Sequence, residues 1–198
     1  LAVTATTGAY TFTPNAAAIN ALAANTTETF TVTVSDGTAL TTASYTVNLT
    51  AVNDTPTLTA PSSFALTEDV AGNLTYTGTP FADVDSATLT VTLSVIDGTI
   101  TGNEGTGITV AGSATARTFA GTVAALNTYF TTAGKITYLG LLNNTTSRTL
   151  TTAVSDGALA ASTTSTINFT AVNDAPVAAA STLTTIAEDV VSSSNPGT

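Results

Sequence analysis

The sequence predicts an all-β protein of tandem β-sandwich repeats with short helical turns, and three observations carry that prediction. Thr supplies 49 of the 198 residues, with Val, Ala and Ser abundant, and β-branched side chains pack better on a pleated surface than in a helix. Several short stretches alternate large apolar with polar residues, the period of two expected of strands buried on one face. The third observation is repetition: T-A-V-N-D-T-P at residues 50–56 returns as T-A-V-N-D-A-P at 170–176, 120 residues later. Val34-Ser35-Asp36-Gly37 returns as Val154-Ser155-Asp156-Gly157, and Glu68-Asp69-Val70 as Glu188-Asp189-Val190, at the same offset.

Self-similarity at a fixed period marks repeat architecture. It divides the chain into the C-terminal part of one repeat (1–55), one complete repeat (56–175) and the start of a third (176–198), as in a window cut from a longer array. A unit of this length can bury a core of its own. Asn53-Asp54 and Asn173-Asp174 fall at the joints. Pro56 and Pro176 follow two residues on; Pro fixes its own φ and pushes the residue before it to an extended conformation, so each joint reads as a stiff linker.

In chain order, Thr11-Phe12-Thr13, residues 30–34 and residues 45–49 alternate as half-buried strands. The Ala-rich stretch 14–22, opened by Pro and Asn, predicts a helical turn or compact loop, and Ser35-Asp36-Gly37 a hairpin tip. In the complete repeat, Phe64 and Leu66, then Leu74 and Tyr76, predict two strands; an acidic loop, Asp83-Val84-Asp85, leads into alternating Leu89, Val91, Leu93 and Val95. Glycines at 98, 102, 105, 107 and 112 punctuate short strands. Val123, Leu126 and Phe130 keep helical spacing. Strands then follow around Ile136 and Tyr138, Leu150 and Val154, and Ile167 and Phe169, with a turn at Asp156-Gly157. Seven or so short strands with turn residues between them suit a β-sandwich, with an eight-stranded barrel as the alternative.

Thirteen acids against three bases give a net charge of −10, which repels nucleic acid and anionic membranes and makes cations the natural partners. Charged residues are only 8% of the chain and hydrophobic ones 43%, a globular balance rather than that of an acidic disordered tail. There is no Cys and hence no disulfide. No apolar run reaches the roughly 18 to 20 residues that cross a bilayer, so no membrane insertion is expected in this segment, and no signal peptide opens it. His is absent too, and no G-x-S-x-G, Walker or zinc signature occurs, so a non-enzymatic role is expected. A paired-carboxylate site could still be drawn from Asp83 and Asp85, but two acids in one short loop serve a metal more naturally.

The order of these motifs resembles the cadherin-like and VCBS-type tandem repeats of large bacterial surface adhesins. Tyr10-Thr11-Phe12-Thr13-Pro14-Asn15, then Val34-Ser35-Asp36-Gly37 and Val52-Asn53-Asp54-Thr55-Pro56, look like the second half of a VCBS-type repeat. Thr67-Glu68-Asp69 through Asp83-Val84-Asp85 to Val154-Ser155-Asp156-Gly157 looks like a complete cadherin-like domain. The resemblance implies an Ig-like, cadherin-like Greek-key sandwich with Ca2+ at the joints. It implies a ligand half-shell of Asn53, Asp54, Asp83, Asp85 and Asp156 at the first joint, and Glu68 at the opposite pole, serving the second joint with Asn173 and Asp174. The sequence departs from the family at Ala51 and Ala171, where the linkers would start with an acid, and no D-x-E motif precedes Thr149; fewer carboxylates imply fewer or weaker ions.

Simpler readings stand beside these. Asp36-Gly37 and Asp156-Gly157 suit turn chemistry alone, Glu68-Asp69 could blunt an edge strand, and Asp97 and Glu104 read as turn and surface residues. The N-x-[ST] triplets follow from Thr abundance. Arg117, Lys135 and Arg148 are scattered and read as solvated strand residues. The function expected is that of an extracellular structural repeat of a bacterial surface adhesin, a calcium-stiffened spacer whose partners are neighbouring repeats. The alternative is homotypic assembly into a filament, sheath or surface layer by strand addition. Carbohydrate binding is weaker, with 5 Tyr, 7 Phe and no Trp for stacking.

Overall fold

The computed structural model describes residues 2–4 and 6–176. The start of the third repeat, including Glu188-Asp189-Val190, lies outside the described residues. The described residues are all-β in class, with two short helices among them.

Before the first joint, β1 (Ala2–Val3) pairs antiparallel with β2 (Tyr10–Thr11). The Ala-rich stretch forms the helical turn its composition predicts, α1 (Ala16–Asn20), capped by the Asn15 side chain, which accepts from the Ala18 N–H. A long hairpin follows, β3 (Thr26–Ser35) with β4 (Leu40–Leu49). At its tip Asp36 Oδ1 accepts from the N–H groups of Thr38 and Ala39 at 2.9 and 2.8 Å. These bonds hold the Asp36 carboxyl below its usual range.

The complete repeat opens with β5 (Thr57–Leu58), β6 (Ser63–Thr67), β7 (Gly72–Asn73), β8 (Phe81–Ala82) and β9 (Thr88–Ser94). It continues with β10 (Thr99–Gly102), β11 (Ile108–Gly112), β12 (Ala116–Thr122), α2 (Val123–Thr131), β13 (Ile136–Leu139), β14 (Arg148–Ser155) and β15 (Ala160–Thr170). Six strands form a mixed sheet in the order β11-β12-β9-β14-β15-β6, and three an antiparallel sheet in the order β10-β13-β7. All pairs are antiparallel except β15 with β6.

Both sheets and α2 contribute to one core. Leu89, Val91 and Leu93 of β9, Leu150 and Val154 of β14, and Ile167 of β15 point into it from the large sheet. Ile100, Ile136 and Tyr138 face them from the small one. α2 starts at Thr122, whose hydroxyl caps the Ala125 N–H, and buries Leu126, Tyr129 and Phe130. Two hydroxyl pairs hold polar groups inside: the Tyr76 hydroxyl meets the Thr152 hydroxyl at 2.6 Å, and the Ser165 hydroxyl donates to the Pro61 carbonyl.

Two local expectations are corrected. Leu74 and Tyr76 are buried, but the ladder of that strand covers only Gly72–Asn73; the Tyr76 N–H donates instead to the Phe130 carbonyl at the end of α2. The basic residues are not simply solvated. Arg148 Nε meets Asp97 Oδ1 at 2.7 Å, with only 10% of the Arg148 side chain exposed. Arg117 donates to the carbonyls of Ile100 and Gly112, and Lys135 Nζ to that of Glu104. Scattered along the sequence, these cations are drawn by the fold to acceptors that local spacing does not reveal.

Gly98 turns β9 into β10 with φ +74°, and a Cβ there would lie 2.6 Å from the Leu139 carbonyl oxygen. Gly98→Ala combines left-handed strain with a backbone clash and is expected to destabilise by about 2 kcal/mol or more. Gly78→Ala shares the positive φ, +69°, but meets open space and is expected to cost less. Chemical denaturation of the two variants checks the ordering.

Candidate metal centre

The two poles of the complete repeat are set by strand direction. Asp156 lies just before β15, and Glu68 just after β6, which runs parallel to β15. The two acids therefore sit at opposite ends of the large sheet.

At the first pole the linker is tied to the repeat by two contacts. Asn53 Nδ2 donates to Asp156 Oδ2 at 2.8 Å, and the Asp54 N–H donates to Asp85 Oδ2 at 3.1 Å. Asp156 Oδ1 also accepts from the N–H groups of Ala158 and Leu159; the Leu159 and Asn53 bonds hold its carboxyl below the usual range. Asp83 Oδ1 closes the D-x-D loop by accepting from Asp85 and Ser86 N–H groups. The remaining oxygens, Asp83 Oδ2 and Asp85 Oδ1, are enclosed and have no hydrogen-bond partner. The Asp83 carboxyl beside it, then burial, pushes the Asp85 carboxyl above its ordinary value. The predicted residues of this joint thus form two subsets, Asp54 with Asp83 and Asp85, and Asn53 with Asp156.

At the second pole three acids converge. Glu68, Asp69 and Asp174 each place a carboxylate oxygen within 4.8 Å of the others. Glu68 is 4% exposed, and its Oε1 accepts from the Val172 N–H at 2.8 Å, tying the end of β6 to the second linker. Asp69 takes a left-handed φ of 63°, which short Asp side chains tolerate, and its Oδ1 accepts from the Asn143 N–H at 2.7 Å. With its amide nitrogen turned inward, Asn143 reaches Asp174 Oδ1 at 3.3 Å and Asp69 Oδ2 at 3.2 Å. Turned the other way, it offers those carboxylates' centre a fourth oxygen. Burial, followed by the charges of Asp69 and Glu68, raises the Asp174 carboxyl above its ordinary value. Among the described residues, Asn173 bonds only to the Asp174 carbonyl, at 3.5 Å.

Of the residues expected at this joint, the structure brings Glu68 and Asp174 together. It adds Asp69 and Asn143. Asp69 was signalled by its place in the recurring Glu-Asp-Val motif; Asn143, from the loop between β13 and β14, had no such signal. None of the three basic residues is positioned to neutralise the cluster, since all are engaged elsewhere. The group could hold a metal ion, and its all-oxygen donor set suits a hard cation.

No family model and no curated protein matches the sequence. Among solved structures, it is similar to two endo-fucoidan hydrolases of glycoside hydrolase family 107. MfFcnA4 is 17% identical over 74% of this chain with a TM-score of 0.31; MfFcnA9 is 16% identical over 72% with a TM-score of 0.28. The matched region spans 19% and 22% of those proteins. Likeness at that level carries no argument about this chain's fold or activity.

Proposed function

We propose that this chain is a structural, non-catalytic segment of a bacterial surface adhesin, in which cadherin-like Greek-key sandwich repeats act as calcium-stiffened spacers outside the cell. The observation that carries the reading is the convergence of Glu68 and Asp69, from the end of β6, with Asp174, from the linker. An ion among them would bridge a repeat to its linker and oppose bending at the joint. The parallel feature of the first joint is the enclosed pair of unpartnered oxygens on Asp83 and Asp85 beside the Asp54 backbone. The 120-residue recurrence of Asn-Asp-x-Pro supports assigning both chemistries to every joint, with neighbouring repeats as the partners and residues 56–175 as the repeating unit.

Calcium is the preferred ion because it takes 6 to 8 oxygens in irregular geometry, whereas magnesium demands a near-octahedral shell and sheds water reluctantly. Isothermal titration of the 198-residue chain is expected to show calcium binding in the range of extracellular modules, about 10⁻⁴–10⁻³ M, and weaker binding of magnesium. Asp69→Asn is expected to weaken it. Binding unaltered by Asp69→Asn together with Asp83→Asn would remove both joints as metal sites.

A further inference from the structure

The six-stranded sheet of the complete repeat has two edges, β11 and β6, and they are finished differently. At β11 a turn brings Gly105 back into a bridge with Ile108, and Arg117 Nη1 donates to the Gly112 carbonyl at 3.1 Å. Both ends of that edge are closed. β6 has no such cover among the described residues. The Ser62 carbonyl accepts from the Thr166 N–H, and the Glu68 N–H donates to the Thr170 carbonyl. Residues 62, 64, 66 and 68 therefore aim their backbone groups at β15. The alternation of the ladder turns those of Ser63, Ala65 and Thr67 outward, where no described residue meets them.

Nothing within β6 blunts this edge. Its sequence, Ser-Phe-Ala-Leu-Thr, holds no charge and no Pro, the usual devices that keep strand edges apart. Glu68, just beyond, is 4% exposed and turned to the Val172 N–H, so it does not guard the edge. Ser63, Ala65 and Thr67 are exposed, and none is long enough to hold a second backbone away.

We propose that β6 pairs antiparallel with β6 of a second copy of this chain, about a two-fold axis at Ala65. In that register every outward group finds its complement. Each Ala65 N–H meets the Ala65 carbonyl of the other copy, and Ser63 of one copy exchanges both bonds with Thr67 of the other. On the core side, Phe64 of one copy lies beside Leu66 of the other, which closes the seam with an apolar cross-strand pair. Charge selects the direction. Antiparallel pairing sets Asp69 opposite Pro61 of the second copy and keeps the two Asp69 residues about 26 Å apart, at roughly 3.3 Å per residue. That exceeds the screening length of about 8 Å in physiological salt. A parallel pair would line up acid against acid, in a chain of net charge −10. The contact is isologous and closes as a dimer, and it joins chains that run in opposite directions. A seam of five residues makes it a weak, concentration-dependent dimer. It uses no metal ion, so it stands or falls separately from the joints.

The chain has no cysteine, so single thiols read the register. Ala65→Cys lies on the axis, where facing Cα atoms are about 5.5 Å apart, within disulfide reach. It is expected to oxidise to a covalent dimer in chelator and in calcium alike. Thr67→Cys stands four residues, about 13 Å, from its own counterpart and is expected to cross-link at least about tenfold more slowly, beyond disulfide reach. Ala65→Lys and Ala65→Glu each set like charges across the axis. Each should sediment as a monomer where the parent chain dimerises, with an unchanged melting temperature, and an equimolar mixture of the two should recover the dimer. A parent chain monomeric up to millimolar concentration, equal cross-linking by the two thiols, association unaltered by Ala65→Lys, or no recovery in the mixture would each overturn the proposal.

Discussion

Phe130→Ala is expected to destabilise the complete repeat by about 3–5 kcal/mol, the cost of a large cavity in a packed core. Phe130 is fully buried and makes edge-to-face contacts with Tyr76, Phe81 and Phe119, with ring centroids 5.1, 4.8 and 5.2 Å away. It is the point where α2, the β7–β8 segment and β12 meet. Each aromatic pair adds about 0.5–1.5 kcal/mol to simple burial, so the deletion removes several contacts together. With domain stabilities of about 5–15 kcal/mol, the variant should melt on the order of 15 °C lower. Ile19→Ala, at the half-buried residue of the otherwise exposed α1, should move the main transition little. Similar losses for both would mean that the core is not centred where Phe130 lies.

The second large effect changes sign with the metal. Without a cation, Glu68, Asp69 and Asp174 repel one another, and Asp174 is the member whose carboxyl is raised above its ordinary 3.8. A carboxyl raised in the folded state favours folding below its ordinary value and loses that contribution as pH rises through the folded value. At neutral pH in chelator, Asp174→Asn therefore relieves repulsion and should raise the melting temperature; in acid the gain should vanish. In saturating calcium the same variant removes a charged ligand and should lower the melting temperature relative to the parent chain. A purely structural carboxylate would show one sign in both conditions.

The elements that alternate cleanly were legible from sequence because each strand is half-buried within a single sheet: Leu89, Val91 and Leu93, or Leu150 and Val154, all face the core. α2 was legible for the same reason, through Leu126 and Phe130. The parallel pairing of β6 with β15 joins residues about 100 positions apart, such as Phe64 with Ile167; no local pattern records such a partner. Likewise, Arg148 and Asp97 gave no hint of their ion pair, because the pairing exists only once β14 lies near the β9–β10 turn.

The candidate site divides along the same line. Glu68 and Asp174 were reachable through a recurring motif and its resemblance to known repeats. Asn143 was not, since it contacts Asp69 through a loop residue at φ 52° opposite another at φ 63°. At the first pole, the sequence placed Asp83 and Asp85 in one loop. That each keeps an oxygen enclosed and without a partner is a product of packing, and could be seen only in the folded chain.

The central claim is that acids at the joints bind calcium in the native state. The most direct measurement is a thermal melt of the whole chain in millimolar calcium and again in chelator. A ligand bound only to the folded form stabilises it by RT ln(1 + [L]/Kd), about 2.7 kcal/mol at a hundredfold excess over Kd. The account predicts a higher melting temperature that rises with calcium concentration and is reduced by Asp69→Asn. Identical melts in calcium and chelator would contradict it.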